Sequence, residues 1–153
     1  MAGRDTRRLV TIGVYDWDRQ SFLTALADAE VRMLWDVRQR RGVRGPRYAW
    51  ANSARLQRAL ADAGIAYAHH KELAPSTELR HLQYAEDARQ GVGKRSRVEL
   101  AEDYRRRFTH ELLDHVPIGP LVAQLPSEGA CALLCVERDP EACHRSLVAE
   151  RIT

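Results

Sequence analysis

Residues 133–146 read LLCVERDPEACHRS and bring Cys135, Glu137, Cys143, His144 and Arg145 into one short stretch. A cysteine attacks only as its thiolate, a form favoured by neighbouring cations and by the N-terminus of a helix. Asp139 followed by Pro140 reads as a helix start, because the carboxylate can cap free backbone N–H groups and proline at the first position loses no needed donor. Cys143, His144 and Arg145 then fall in the first two turns, where the helix dipole favours a thiolate at Cys143. Cys135 is expected within an apolar strand, where a cysteine most often packs as a small hydrophobe. Glu137, two residues on, shares its side of the strand and could act with it as acid or base. Cys143 and Cys135 are thus both candidate nucleophiles. His144 should stand about 100° round the helix from Cys143, so a dyad between these neighbours is not expected, and His69 or His70 would be the better partner.

A second group of residues could hold an anion. RQRRGVRGPR at 38–47 contains Arg38, Arg40, Arg41, Arg44 and Arg47 with no acid among them. Such a run attracts phosphate, and Arg145 offers a second clamp. Asp36, just before it, is an alternative to Glu137 for proton transfer. Lys94, Arg95, Arg97 and Arg105 to Arg107 are diluted by acids and read as a solvated face.

Other chemistries fit less well. Cys135, Cys143 and His144, with His69 or His70, are zinc-ligand types, but Cys-x7-Cys-His matches no finger or ribbon and there is no Cys-x2-Cys pair. No metal is expected. No cofactor is expected either, since neither a Walker nor a Gly-x-Gly-x-x-Gly element occurs. A phosphatase-type loop fails at Glu141, which stands where an arginine would have to follow Cys135.

The elements that must position these residues are legible from periodicity. LVTIGVY (9–15), VRMLWDV (31–37), IAYAH (65–69) and ACALLCV (130–136) read as strands, the last apolar on both faces and so expected in the middle of a covered sheet. Phe22, Leu23, Leu26 and Ala27 mark one helix, and Leu56, Ala59, Leu60 and Ala63 another that Gly64 closes. Leu100, Tyr104, Phe108 and Leu112 form the apolar stripe of a third. Residues 75–95 show only weak helical pattern and are read as loop or short helix. Strands alternating with helices predict an α/β fold, with a mostly parallel sheet of about four strands and helices on both faces. In such a sheet the chemistry collects beyond the carboxyl ends of the strands, where Asp36 to Arg38, His69, His70, Glu72 and Cys135 to Asp139 all fall.

Composition sets the outer limits. The chain has 153 residues, 44% hydrophobic and 29% charged, with a formal net charge of +3. That length suits one domain over 1–153, and the balance excludes a disordered chain. No signal-length apolar run and no stretch of 18 apolar residues occurs, so a cytoplasmic protein without a membrane partner is expected. Three cysteines, at 131, 135 and 143, fit reduced thiols better than a disulfide framework.

TIG at 11–13, DVR at 36–38, AGIAY at 63–67 and above all LLCVERDPEACHRSLVAE at 133–150 resemble the DUF488 family, small proteins of largely unknown function. The resemblance runs nearly end to end. It implies an α/β domain whose recurring polar residues match Asp36, Arg38, Cys135, Glu137, Cys143, His144 and Arg145, and it supplies no reaction. Where the family commonly has a Leu-Gly-Gly turn after the third strand, this chain has Ala74 and Pro75, which lack the conformational freedom of glycine.

The functional expectation is an enzyme acting on a phosphate-bearing substrate, a nucleotide or nucleic acid. Cys143 or Cys135 would be the nucleophile and Glu137 or Asp36 the acid/base group. Arg38, Arg40, Arg41, Arg44, Arg145, His144 and His69 would bind substrate. The alternative is a nucleic-acid-binding module in which the same arginines contact backbone and the cysteines only pack. Oligomeric state is not legible.

Overall fold

The computed structural model of the chain describes residues 8–93, 100–136 and 143–152. Its four strands are β1 (Arg8–Ile12), β2 (Val31–Asp36), β3 (Ala66–His69) and β4 (Ala130–Leu134). They pair in parallel in the order β1-β4-β2-β3, with Ile12 and Asp36 both opposite Leu134, and Asp36 opposite His69. The expected α/β class and parallel sheet are therefore found. β4, apolar on both faces, is buried at every residue and lies between β1 and β2, which is where a strand without a polar face must go.

Each strand is shorter than the apolar run that encodes it. β1 ends at Ile12, and the next backbone amides, Val14 and Tyr15, turn to donate to the carbonyl of Val136 at 3.0 and 2.9 Å. β4 ends at Leu134, so Cys135 stands just beyond the strand rather than inside it. The two thiols are thereby brought to the sheet's carboxyl edge, one from each side of the final β-to-α connection.

The helices are α1 (Arg19–Asp28), α2 (Ser53–Asp62), α3 (Thr77–Gln90), α4 (Glu102–Glu111), α5 (Ile118–Ala123) and α6 (Arg145–Ile152). α1 begins on a capping box in which Ser21 N–H donates to Asp18 Oδ1 at 2.7 Å and Asp18 N–H donates to Ser21 Oγ at 3.0 Å. α3 corrects the reading of 75–95 as loop or short helix. Ser76 accepts from Leu79 N–H at its start, and Gly91, at φ 71°, closes it in the left-handed conformation that glycine adopts without strain. α5 lies in the connection between α4 and β4. In α4, Tyr104 and Phe108 of the expected stripe are buried and their rings stack, with centroids 6.0 Å apart.

The core runs from Phe22 and Leu26 of α1 through Leu34, Trp35 and the β4 side chains to Leu56 and Leu60 of α2, Phe108 and Val148. Among the described residues no helix is long and apolar enough to cross a membrane.

Candidate active site

Asp36 and Arg38 flank the end of β2 and grip each other across Val37. Arg38 Nε donates to Asp36 Oδ1 at 2.8 Å, its terminal NH2 group donates to Oδ2 at 2.7 Å, and its backbone N–H reaches Oδ1 at 3.2 Å. Tyr67 on β3 adds a hydroxyl donated to Oδ2 at 2.6 Å. The other terminal nitrogen of Arg38 caps the carbonyl of Ala51 at 3.0 Å. Both side chains are buried. Burial disfavours the Arg38 charge, but hydrogen bonding to Asp36 and the nearby negative charge outweigh it and hold the guanidinium protonated. Asp36 does not line the cleft described below, so its place suits positioning rather than the proton transfer expected of it.

This clamp fixes the backbone of Val37, and the Val37 carbonyl accepts from His144 Nε2–H at 2.7 Å. A carbonyl can only accept, so the proton sits on Nε2 and Nδ1 is turned the other way. Nδ1 lies 3.5 Å from Cys143 Sγ and 3.8 Å from Cys135 Sγ. The expectation that His144 and Cys143 diverge is thus overturned, because Cys143 and His144 occupy the bend and turn before α6 and the helical spacing of 100° does not apply to them. His69 and His70 are not the thiols' partners. His69 Nε2 donates to the Arg38 carbonyl at 2.8 Å, while His70 Nδ1 pairs with Glu72 Oε1 at 2.5 Å and its ring packs on Trp35.

Cys135, Cys143 and His144 are 6%, 1% and 5% exposed. Burial by itself would raise the Cys135 thiol. Hydrogen bonding from Cys143, the charge and hydrogen bond of His144 and the charge of Arg145 outweigh it, and hold Cys135 well below the ordinary thiol value. Arg145, expected as a second anion clamp, is fully buried and is not among the residues that line the cleft, and its charge favours the Cys135 thiolate. Cys131, within β4, has no such neighbours among the described residues, and burial pushes it up to about 12. None of the three cysteines is in a disulfide.

Cys135, Cys143 and His144 open into a cleft of about 520 Å³. Its lining includes Tyr15 beyond β1, Arg38 to Arg40 and Gly42 to Arg44 beyond β2, and Arg80, His81, Gln83 and Tyr84 of α3. Four arginines, Arg38, Arg40, Arg44 and Arg80, and no carboxylate line it among the described residues. Arg41 lies outside that lining and donates to Tyr67 at 3.4 Å.

Sequence reasoning missed the α3 wall. Arg80 donates to Gln39 Oε1 at 2.7 Å and to Tyr84 at 3.0 Å, and Gln39 donates in turn to Thr77 Oγ1 at 3.1 Å, which ties the arginine loop to α3. The signal was present in Ser76 as cap and Gly91 as stop. Glu137, Asp139 and Pro140 lie outside the described residues, as do Lys94, Arg95 and Arg97.

The Sγ atoms of Cys135 and Cys143 and Nδ1 of His144 all lie within 4.8 Å of one another. Three such donors facing a cleft suit thiolate chemistry, and they would also suit a soft cation that keeps one position open. A thiol-reactivity measurement with and without chelator separates the two. No curated protein and no solved structure matches the chain. The family model for the domain of unknown function DUF488 matches residues 18–152, nearly the whole chain, including Asp36, Arg38, Cys135, Cys143 and His144. The chain belongs to the DUF488 family.

Proposed function

We propose that the protein is an enzyme that acts on a phosphate-bearing substrate, a nucleotide or a nucleic-acid end, with Cys135 as nucleophile. One observation carries this reading: a low-lying thiol, backed by the oriented imidazole of His144, shares a cleft with four arginines and no carboxylate among the described residues. Arg40, Arg44 and Arg80 would hold phosphate, since none has a carboxylate partner among those residues, whereas Arg38 is largely engaged by Asp36 and Ala51. In the reaction the Cys135 sulfur forms a bond to the electrophilic centre of the substrate as the bond to the leaving group breaks. The leaving group takes the proton that His144 Nδ1 has accepted from the thiol, and water then releases the second product from sulfur. Cys143 Sγ lies within 4.8 Å of Cys135 Sγ, and in this reading it supports the nucleophile and does not itself attack.

The test is protection. In folded, reduced protein, Cys135 should be alkylated by iodoacetamide faster than Cys131, and inorganic phosphate or a nucleoside monophosphate should slow that reaction. The Arg40→Ala, Arg44→Ala, Arg80→Ala triple variant should lose the protection. A Cys135 that reacts no faster than Cys131 removes the nucleophile. Rapid alkylation that neither anion slows removes the phosphate-bearing substrate.

A further inference from the structure

We infer that Cys135 and Cys143 form an oxidisable pair, a modification site at which a hydroperoxide converts the two thiols into an intramolecular disulfide. The inference shares with the proposed reaction only the reactivity of Cys135, and it says how that site would be switched off and restored.

The geometry is the starting point. The two sulfurs lie within 4.8 Å of each other. A disulfide needs the sulfurs at about 2.05 Å, so closure asks for a shift of about 3 Å or less. Neither residue sits inside a regular element that would resist the shift. Cys135 follows the last residue of β4, and Cys143 is at the bend before α6. Both line the cleft and so lie in the path of a small reagent, although each is more than nine-tenths buried. Burial excludes large oxidised thiols and admits a peroxide.

The third cysteine provides the contrast. Cys131 is inside β4, fully buried, pushed up to about 12 and absent from the cleft lining. Reactivity follows thiolate character and access, which Cys135 combines and Cys131 lacks.

The chemistry balances without any other cofactor. The Cys135 thiolate attacks one oxygen of the hydroperoxide, an S–O bond forms, the O–O bond breaks, and the departing oxygen takes a proton to leave as water or an alcohol. Cys135 is then a sulfenic acid. Cys143 sulfur attacks Cys135 sulfur, the S–S bond forms as the S–O bond breaks, and the hydroxyl leaves as water with the proton from the Cys143 thiol. The thiols have together lost two electrons and the peroxide has gained them. A small thiol reductant reverses the process by exchange. A resolving cysteine at this distance also protects the nucleophile, because the disulfide forms before a second peroxide can drive Cys135 to the irreversible sulfinic acid.

The experiment uses the full-length, reduced, folded protein and hydrogen peroxide in small excess, with each cysteine quantified by peptide mass spectrometry. The expected result is a peptide pair linked through Cys135 and Cys143, Cys131 still alkylatable, and full recovery with dithiothreitol. In Cys143→Ser the disulfide should be absent and dimedone should label Cys135, followed by sulfinic acid on longer exposure. If Cys135 alkylates readily but peroxide gives no Cys135–Cys143 link, the oxidisable pair is wrong while the nucleophile stands. If Cys135 neither alkylates nor oxidises, both fall. A link through Cys131, or protection of both thiols that a chelator reverses, also overturns the inference, the latter in favour of a bound metal ion.

Discussion

Replacing Asp36 by Asn should unfold the site from below. The carboxylate accepts from Arg38 N–H, Nε and NH2 and from the Tyr67 hydroxyl, at 3.2, 2.8, 2.7 and 2.6 Å. Its partner Arg38 is only 2% exposed. Asparagine keeps the shape but removes the charge, so the guanidinium is left buried without its counter-ion, and the new amide group points a donor at donors. Removing one member of a buried pair typically costs about 3–5 kcal/mol. For a chain of this length each kcal/mol shifts Tm by about 2–4 °C, which gives a fall of about 6–20 °C. Urea unfolding followed by circular dichroism measures the difference directly. The cause is checked by a double-mutant cycle: Arg38→Met alone should also destabilise, and the pair Asp36→Asn with Arg38→Met should be less unstable than the sum by about 1–3 kcal/mol. Because the clamp aims the Val37 carbonyl at His144, Asp36→Asn should also move the pH profile of Cys135 alkylation upward under conditions where the variant is folded. An Asp36→Asn protein within about 1 kcal/mol of wild type, or an additive cycle, would refute the reasoning.

Other outcomes follow from the same geometry. His144→Ala removes the imidazole beside both sulfurs, so the ultraviolet absorbance of the Cys135 thiolate should titrate closer to the ordinary thiol value of about 8.5; an unmoved titration would mean that His144 does not hold the thiolate. Cys131 ionises at about 12 in the folded chain and near about 8.5 when unfolded, so its contribution to stability is complete below the lower value and is lost as pH rises through the window. Cys131→Ala should therefore flatten the alkaline fall in urea midpoint. Cys135 works in the opposite sense: its folded value is lowered, so its contribution is present above about 8.5 and is lost as pH falls through the folded value. Gly129 sits at φ 78°, and a Cβ there would come within 2.6 Å of the Glu30 carbonyl oxygen. Gly129→Ala should thus cost more than the roughly 1–3 kcal/mol of backbone strain alone, and a midpoint equal to wild type would show that the turn before β4 is not as close as described.

The sheet was legible because β-branched and apolar runs alternate with helical periodicity, a pattern that tolerates errors of a few residues at each end. The nearness of Arg38 to Cys135 followed from the same rule, since both stand just past parallel strands. The direction of His144 was not legible. It depends on whether residues 143 and 144 are already helical, and a capping signal at Asp139 does not decide that. Arg80 and Tyr84 were missed for a different reason: α3 presents few buried apolar side chains, so it lacks the stripe that marks an amphipathic helix even though its cap and stop residues are orthodox. The pairing of Asp36 with Arg38 was not legible, because an acid beside arginines reads equally as proton carrier and as counter-ion, and burial distinguishes the two places.

The insertion of β4 between β1 and β2 has a consequence for how the protein is made. Residues 130–134 supply the hydrogen-bonding partner on one side for β1, at residues 8–12, and on the other for β2, at residues 31–36. During synthesis the first two strands leave the ribosome with facing edges and nothing between them, and they must wait for most of the chain to follow. An unpaired strand edge is a template for other chains. The nascent polypeptide is therefore most exposed to association until the β4 segment emerges, and the residues that close that gap are immediately followed by Cys135. Cys135 arrives as the sheet is completed, and Cys143 and His144 follow it, so no chain made only as far as β4 carries the assembled cluster.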